Sequence, residues 1–177
     1  MIYVKCKKTN CIDICSVDET EIILITLFNT LTMAFEIKTE ITINATPDKV
    51  WAILTNFKAY PDWNPFIKSL KNEVIIGERI LVRIEPPETK GMTFNPRVLT
   101  YNKNKEFSWL GHLLLPGLFD GKHKFELKAN EDGTTTFIQS EQFRGILVPL
   151  FKGKLNHNTR NGFIEMNGKL KDLAERI

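Results

Sequence analysis

The order of predicted elements constrains the fold of this 177-residue chain more than any other feature. Apolar and polar residues alternate from Phe35 to Ala45, which is typical of a half-buried strand. Two short helices, six further strands and a long helical pattern from about Pro149 to Ile177 follow it. This order predicts an α+β fold in which the last helix lies across the concave face of a curved antiparallel sheet.

Local signals set the predicted boundaries. Thr46 and Pro47 form a helix start, and Pro61 ends that first helix, so the segment after it allows only a second short helix. Gly77-Glu78 is a tight-turn signal between two of the later strands. The six later strands are predicted at residues 74–76, 80–84, 94–101, 107–110, 125–129 and 135–143.

The turn Glu131-Asp132-Gly133 predicts the register of the last hairpin, because a three-residue loop with glycine in the left-handed position is a common hairpin connection. The register turns three polar side chains toward an otherwise apolar concave wall. Two interpretations are open. Either His123 and Glu141 form a structural pair, or these polar side chains orient a bound ligand or act on it as acid and base. The pairs are Leu127 with Phe137, Phe125 with Gln139, and His123 with Glu141, and the polar residues are His123, Glu141 and Gln139.

The long connections between strands gather at one end of the predicted sheet. They are residues 85–91, 113–119 and 144–150. Residues 113–119 and the segment 146–151 are apolar, although exposed loops are normally polar. Either these segments cover one another and the foot of the last helix, or they line an apolar opening.

Charge and motifs exclude several classes of function. A net charge of +3 over 24 basic and 21 acidic residues gives no case for a nucleic-acid partner, and no apolar run approaches the ~20 residues of a transmembrane span. The sequence has no phosphate-binding glycine motif, and its histidines lack zinc spacing, so we expect neither a cofactor nor a metal. Cys6, Cys11 and Cys15 match no disulfide framework, and the remaining chain has no cysteine, which is typical of a reducing cytoplasm.

Residues 1–32 differ from the rest of the chain. The apolar stretch from Ile22 to Phe28 follows acidic residues, whereas a secretory signal has basic residues before a longer apolar core. Met33 opens the cleanly patterned part. We therefore predict an N-terminal extension over residues 1–32, outside the fold, and a ligand-binding domain over residues 33–177.

Two segments resemble the START-like, or SRPBCC, superfamily, and within it the polyketide cyclase/dehydrase-related bacterial proteins. They are residues 45–51 (ATPDKVW) and 57–66 (FKAYPDWNPF), supported by residues 117–121 (GLFDG) and 139–141 (QSE). The resemblance covers about residues 34–176. It implies a helix-grip fold, in which a seven-stranded antiparallel sheet wraps a long C-terminal helix and encloses an apolar cavity.

The resemblance implies a small hydrophobic partner, since members bind lipids, sterols, polyketides or aromatic hormones. We expect binding or transport of such a molecule between sheet and helix. The alternatives are a cyclase- or dehydratase-like enzyme using His123 and Glu141, and a module that acts on a chaperone or membrane through its apolar loops. The candidate ligand-binding residues are Trp63, Phe66, Phe94, Trp109, His123, Phe125, Gln139, Glu141, Phe143, Phe163 and Met166.

Overall fold

The computed structural model describes residues 3–8, 11–16, 34–87 and 89–176. The chain forms two compact units, residues 1–33 and 34–177. In the first, β1 (Tyr3–Lys8) pairs antiparallel with β2 (Cys11–Ser16). The apolar stretch at 22–28 lies outside the described residues, and the assignment of 1–32 as an extension stays a prediction.

The second unit has the predicted order of elements. It opens with β3 (Phe35–Ile43), α1 (Pro47–Leu54), a 3-10 turn (Phe57–Ala59) and α2 (Tyr60–Trp63). The strands that follow are β4 (Ile67–Lys71), β5 (Leu81–Ile84), β6 (Met92–Phe94), β7 (Arg97–Asn102), β8 (Glu106–His112), β9 (Asp120–Ala129) and β10 (Thr135–Arg144). The chain then forms one long helix, α3 (Val148–Ala174).

The predicted α+β fold is confirmed: the long C-terminal helix packs on a curved antiparallel sheet, with short helices after the first strand of the unit. The number of strands differs. Where seven strands in one sheet are expected, β3-β10-β9-β8-β7 form a five-stranded sheet and β4-β5-β6 a three-stranded one. Helix α3 packs mainly against β3 and also contacts β10.

The predicted strand at residues 74–76 is wrong. The strand in this part of the chain is β4, which pairs with β5 through a register shift between Ile67 and Ser69. That irregularity breaks the alternation of buried and exposed residues, so the period-two pattern is absent from the sequence. The turn at Gly77 exists, but its N–H donates to the Val98 carbonyl at 2.9 Å instead of closing a hairpin with residues 74–76.

The predicted strand at residues 94–101 is divided in two. Strand β6 ends at Phe94 and β7 begins at Arg97, on either side of Asn95 and Pro96. Proline has no N–H to donate to a ladder, and its ring restricts the residue before it. The Pro96 carbonyl instead accepts a hydrogen bond from the Ile80 N–H at 3.0 Å.

The predicted register of the last hairpin is confirmed. Asn130 N–H donates to the Thr134 carbonyl at 2.9 Å, and Gly133 takes the left-handed conformation with φ 82°. Phe125 lies opposite Gln139, and His123 lies opposite Glu141.

Tyr60 joins α2 to α1 in the interior. Its hydroxyl donates to the Leu54 carbonyl at 2.6 Å, and the side chain is fully buried. Burial, and next the nearby Tyr101, raise the pKa of Tyr60 well above its ordinary value. The folded protein therefore holds this proton more tightly than the unfolded chain does.

We expect the free energy of unfolding to fall in alkaline solution through Tyr60. Below pH about 10 both states keep the proton. Above it the unfolded state loses the proton first, so stability decreases by up to ~1.4 kcal/mol per pH unit. Urea unfolding from pH 8 to pH 11 should show the stability difference between wild type and Tyr60→Phe shrinking above pH 10. A difference that stays constant over this range would contradict the assignment.

Helix α3 lies close against the rest of the unit at Gly162. A Cβ at that position would lie 2.2 Å from the Phe66 Cδ2 atom. The Phe66 ring also meets Phe163 edge to face, with centroids 5.2 Å apart. The absent side chain at Gly162 is therefore what allows Phe66 to lie against the helix.

Replacing Gly162 with alanine should overpack this contact and destabilise the protein by about 1–3 kcal/mol. The matched control is Gly168→Ala in the same helix, where a methyl group would have no described neighbour within 4 Å. That control should be neutral or stabilising by up to about 1 kcal/mol, because alanine favours helix. Equal effects of the two substitutions in urea unfolding would show that the Phe66 contact is not limiting.

Candidate functional site

A largely apolar cavity of about 440 Å³ lies between the sheet and the first half of α3. Its walls come from strands of both sheets, the connection at residues 85–91, the loop at residues 113–119 and the first three turns of α3. The cavity therefore lies at the end of the sheet where the sequence analysis predicts the long connections.

Five of the predicted residues line this cavity and six do not. The five are Phe66, Phe94, Trp109, Glu141 and Phe143. Of the others, Trp63 is half-buried against Tyr60, with ring centroids 5.3 Å apart. The remaining five are buried in the core and do not line the cavity: His123, Phe125, Gln139, Phe163 and Met166.

Sequence reasoning missed the lining that comes from connections, glycines and the start of α3. The apolar character of residues 113–119 and 146–151 is the signal that pointed to this region. Gly111 and Gly121, which face each other on β8 and β9, line the cavity because they have no side chain to fill it. Leu113, Phe119 and Phe151 belong to the two apolar segments that were considered as an opening. The other missed residues are Ile84, Pro86, Thr89, Lys90, Gly91, Met92, His112, Lys154, Leu155, Asn158 and Thr159.

Aromatic rings enclose His123 behind the cavity wall. The imidazole is fully buried and stacks on Trp109, with centroids 4.6 Å apart and planes 8° from parallel. Phe125 and Phe163 meet it edge-on at 4.6 Å and 5.2 Å. Trp109 therefore stacks on His123 with one face of its indole and also forms part of the cavity wall.

A chain of polar contacts runs from the core to the cavity. Gln139 Nε2 lies 3.3 Å from His123 Nε2, and His123 Nδ1 lies 3.3 Å from Glu141 Oε2. With the Gln139 amide in this orientation its NH₂ donates, so the imidazole Nε2 accepts and Nδ1–H donates to the carboxylate. The same orientation leaves Gln139 Oε1 without a partner among the described residues. His123 and Glu141 thus form a hydrogen-bonded pair, and only Glu141 of the two lines the cavity.

Gly121 leaves the space that the Glu141 carboxylate occupies. A Cβ at Gly121 would lie 2.7 Å from Glu141 Oε1. Among the described residues, Glu141 is the one carboxylate that lines the cavity. Its side chain is 12% exposed, so little water competes for a partner there.

The two apolar connections hold each other at the mouth of the cavity. Ile146 N–H donates to the Gly117 carbonyl at 3.2 Å, and Leu147 N–H donates to the Leu118 carbonyl at 3.0 Å. The Asp120 carboxylate accepts from the Gly117 N–H at 3.0 Å. These segments cover one another and also line the opening. Both interpretations of their apolar character, as a cover and as the mouth of a cavity, therefore apply.

The chain belongs to the polyketide cyclase / dehydrase and lipid transport family, whose model matches residues 34–175. This confirms the resemblance that the sequence analysis states. A search of curated proteins gives no match.

Solved structures share the fold at low sequence identity. The ZhuI aromatase/cyclase from a Streptomyces species has a TM-score of 0.66 and 12% identity, over 81% of this chain and 95% of that one. The di-domain aromatase/cyclase BexL has a TM-score of 0.67 and 14% identity, over 90% of this chain and 55% of that one. Norcoclaurine synthase from Thalictrum, solved with a transition-state analogue, has a TM-score of 0.62 and 14% identity, over 81% and 95%.

The described residues contain neither a membrane-spanning helix nor a cluster of metal-ligating side chains. No helix there is both long and apolar enough to cross a bilayer. No three histidine, cysteine, aspartate or glutamate side chains in that part of the chain lie close enough together to hold a metal ion.

We expect Gly121→Ala to push the Glu141 carboxylate away from His123. The histidine Nδ1–H resonance should shift in an NMR spectrum of the side chains, because its acceptor has moved. The matched control is Gly111→Ala on the facing strand, where a Cβ would lie 3.5 Å from the Pro96 Cβ, an ordinary contact. An unmoved resonance in Gly121→Ala would mean that the carboxylate position does not depend on this glycine.

Proposed function

We propose that this protein binds a small hydrophobic or aromatic molecule in the cavity between the sheet and α3. The observation that carries the proposal is the cavity itself, whose volume of about 440 Å³ lies within the usual range of ligand sites. Its wall is mainly apolar, so desolvation of the ligand would supply affinity at roughly 25 cal/mol per Å² buried. The family, which includes lipid transport proteins, supports the same class of ligand.

Glu141 would set the orientation of the ligand. An ionised carboxylate accepts hydrogen bonds and cannot donate them, so the matching ligand carries a hydroxyl or amine. His123 and Gln139 lie behind Glu141 and hold its carboxylate instead of touching the ligand. Glu141 therefore favours an apolar ligand that carries a hydrogen-bond donor.

The contact between His123 and Glu141 also favours a second candidate, a cyclase-like enzyme. A carboxylate on an apolar wall is suited to remove or return a proton, and a histidine behind it would keep it oriented. In that case Glu141 would be the catalytic residue and His123 a positioning residue. The two candidates differ in outcome: Glu141→Gln would leave substrate binding and abolish turnover in an enzyme.

The binding proposal can be tested with 2-naphthol and naphthalene, which differ by one hydroxyl. Glu141→Gln should weaken 2-naphthol about fivefold and leave naphthalene unchanged, because a charged acceptor is stronger than a neutral one. Gly111→Leu should weaken both about tenfold or more by filling the cavity. Fluorescence titration gives the dissociation constants.

Glu131→Gln on the β9–β10 turn is the control, since it removes the same charge from an exposed position away from the cavity. It should bind both probes like wild type. If neither probe binds saturably, or if Gly111→Leu binds both as well as wild type, the cavity is not the binding site. Native mass spectrometry of the protein from its own cell would then identify a natural ligand that co-purifies.

A further inference from the structure

We propose that the mouth of the cavity docks on an anionic lipid bilayer. The docking surface, called the rim below, consists of residues 113–119 and 144–155. The two segments are joined by the backbone hydrogen bonds from Ile146 and Leu147. This inference concerns a partner of the whole protein and holds whatever molecule the cavity takes.

The rim exposes large apolar side chains to an unusual degree. Leu114 and Leu150 are each 78% exposed and Leu115 is 66% exposed, with Ile146 and Phe151 also exposed. Monomeric proteins rarely expose neighbouring apolar side chains unless they meet a partner. Other residues of the same segments, such as Phe119, turn inward and line the cavity.

Leu114 is held in a conformation that does not suit leucine. Its φ of 68° lies in the left-handed region, where glycine or asparagine is favoured and a bulky side chain is strained. Strain of this kind concentrates at functional positions. A leucine that is strained and 78% exposed contributes little to its own fold, which favours a contact outside it.

The charge of the rim selects the kind of partner. Residues 113–119 carry no charged group, and from Arg144 to Ile164 the chain has no acidic residue. Lys152 and Lys154 lie just after the first turn of α3, which contains no acid. The Lys152 ammonium lies 5.3 Å from the centre of the Phe35 ring, a cation–π contact. The rim therefore carries cations and no acidic residue, and it complements a negatively charged partner.

Apolar side chains flanked by lysines are typical of surfaces that lie in a membrane interface. Leucines would enter the boundary between headgroups and acyl chains, and Arg144, Lys152 and Lys154 would meet anionic headgroups. Phe119, Phe151 and Lys154 belong to both the rim and the cavity lining. Docking would therefore place the cavity mouth against the bilayer, where an apolar molecule could pass without crossing water.

The test uses the full chain and sedimented vesicles of two compositions: phosphatidylcholine alone, and phosphatidylcholine with phosphatidylglycerol at 7:3. We expect partition onto the anionic vesicles to exceed that onto the neutral ones at least tenfold, since each cation contributes about fivefold. The excess should fall as salt increases.

The variant Leu114→Asn with Leu150→Glu removes the two most exposed leucines without harming the fold. Asparagine tolerates the left-handed conformation, and an acid favours the first turn of a helix. Thermal unfolding should show stability no lower than wild type, while partition onto anionic vesicles should fall at least tenfold. The control, Ile75→Asn with Ile76→Glu, changes exposed apolar residues outside the rim and should partition like wild type.

The proposal is overturned if wild type does not partition onto anionic vesicles, or if the rim variant and its control behave alike. It is also overturned if wild type forms dimers that the rim variant lacks while neither binds vesicles, because the rim would then join two copies of this chain. Titration with 2-naphthol in the absence of lipid reports on the cavity separately, so failure of one proposal is distinguishable from failure of the other.

Discussion

The close packing of Phe66 on Gly162 divides the interior of the second unit into a filled part and an open part. Beyond this contact, α3 is in solid contact with the sheets, and Phe163, Met166 and Leu170 are fully buried. Before it, the first turns of the helix are largely exposed and cover the cavity. Phe66 itself lines the cavity and contacts the helix, so it forms the boundary. One helix thus completes the core and covers a ligand site.

The polar groups near the cavity follow from the cost of burying them. A histidine and a glutamine without access to water need hydrogen-bond partners, and both His123 nitrogens and Gln139 Nε2 find them in the chain from Gln139 through His123 to Glu141. Gln139 Oε1 has no partner among the described residues. The last member reaches the cavity because Gly121 leaves room for its carboxylate. A largely apolar site therefore contains one carboxylate among the described residues, held by residues that do not themselves line it. This arrangement explains why Glu141 lines the cavity while His123 and Gln139, which were also predicted to bind a ligand, lie behind it.

Much of the fold could be predicted because its signals are local. The strict alternation from Phe35, the proline-led start of α1 and the glycine turn before β10 each act within a few residues. Strand β4 was missed because a register shift interrupts its alternation, and the lining from Gly111 and Gly121 was missed because an absent side chain shows its effect only when neighbouring strands are assembled. His123 was correctly turned inward, but whether it reaches a cavity or is enclosed by rings depends on distant residues such as Phe163.

The start of α3 contains features that lower the stability of the fold, whereas its second half is packed in the core and stabilises the fold. No side-chain hydrogen bond caps the start of α3 at Leu147, and Leu114, in the loop hydrogen-bonded to residues 146 and 147, is strained. Both features cost free energy. Such costs persist where the surroundings over-determine the fold, which here means the packed segment from Phe163 to Ala174. The packing of the second half of α3 in the core therefore offsets the cost of the exposed, cationic and strained residues at the mouth of the cavity.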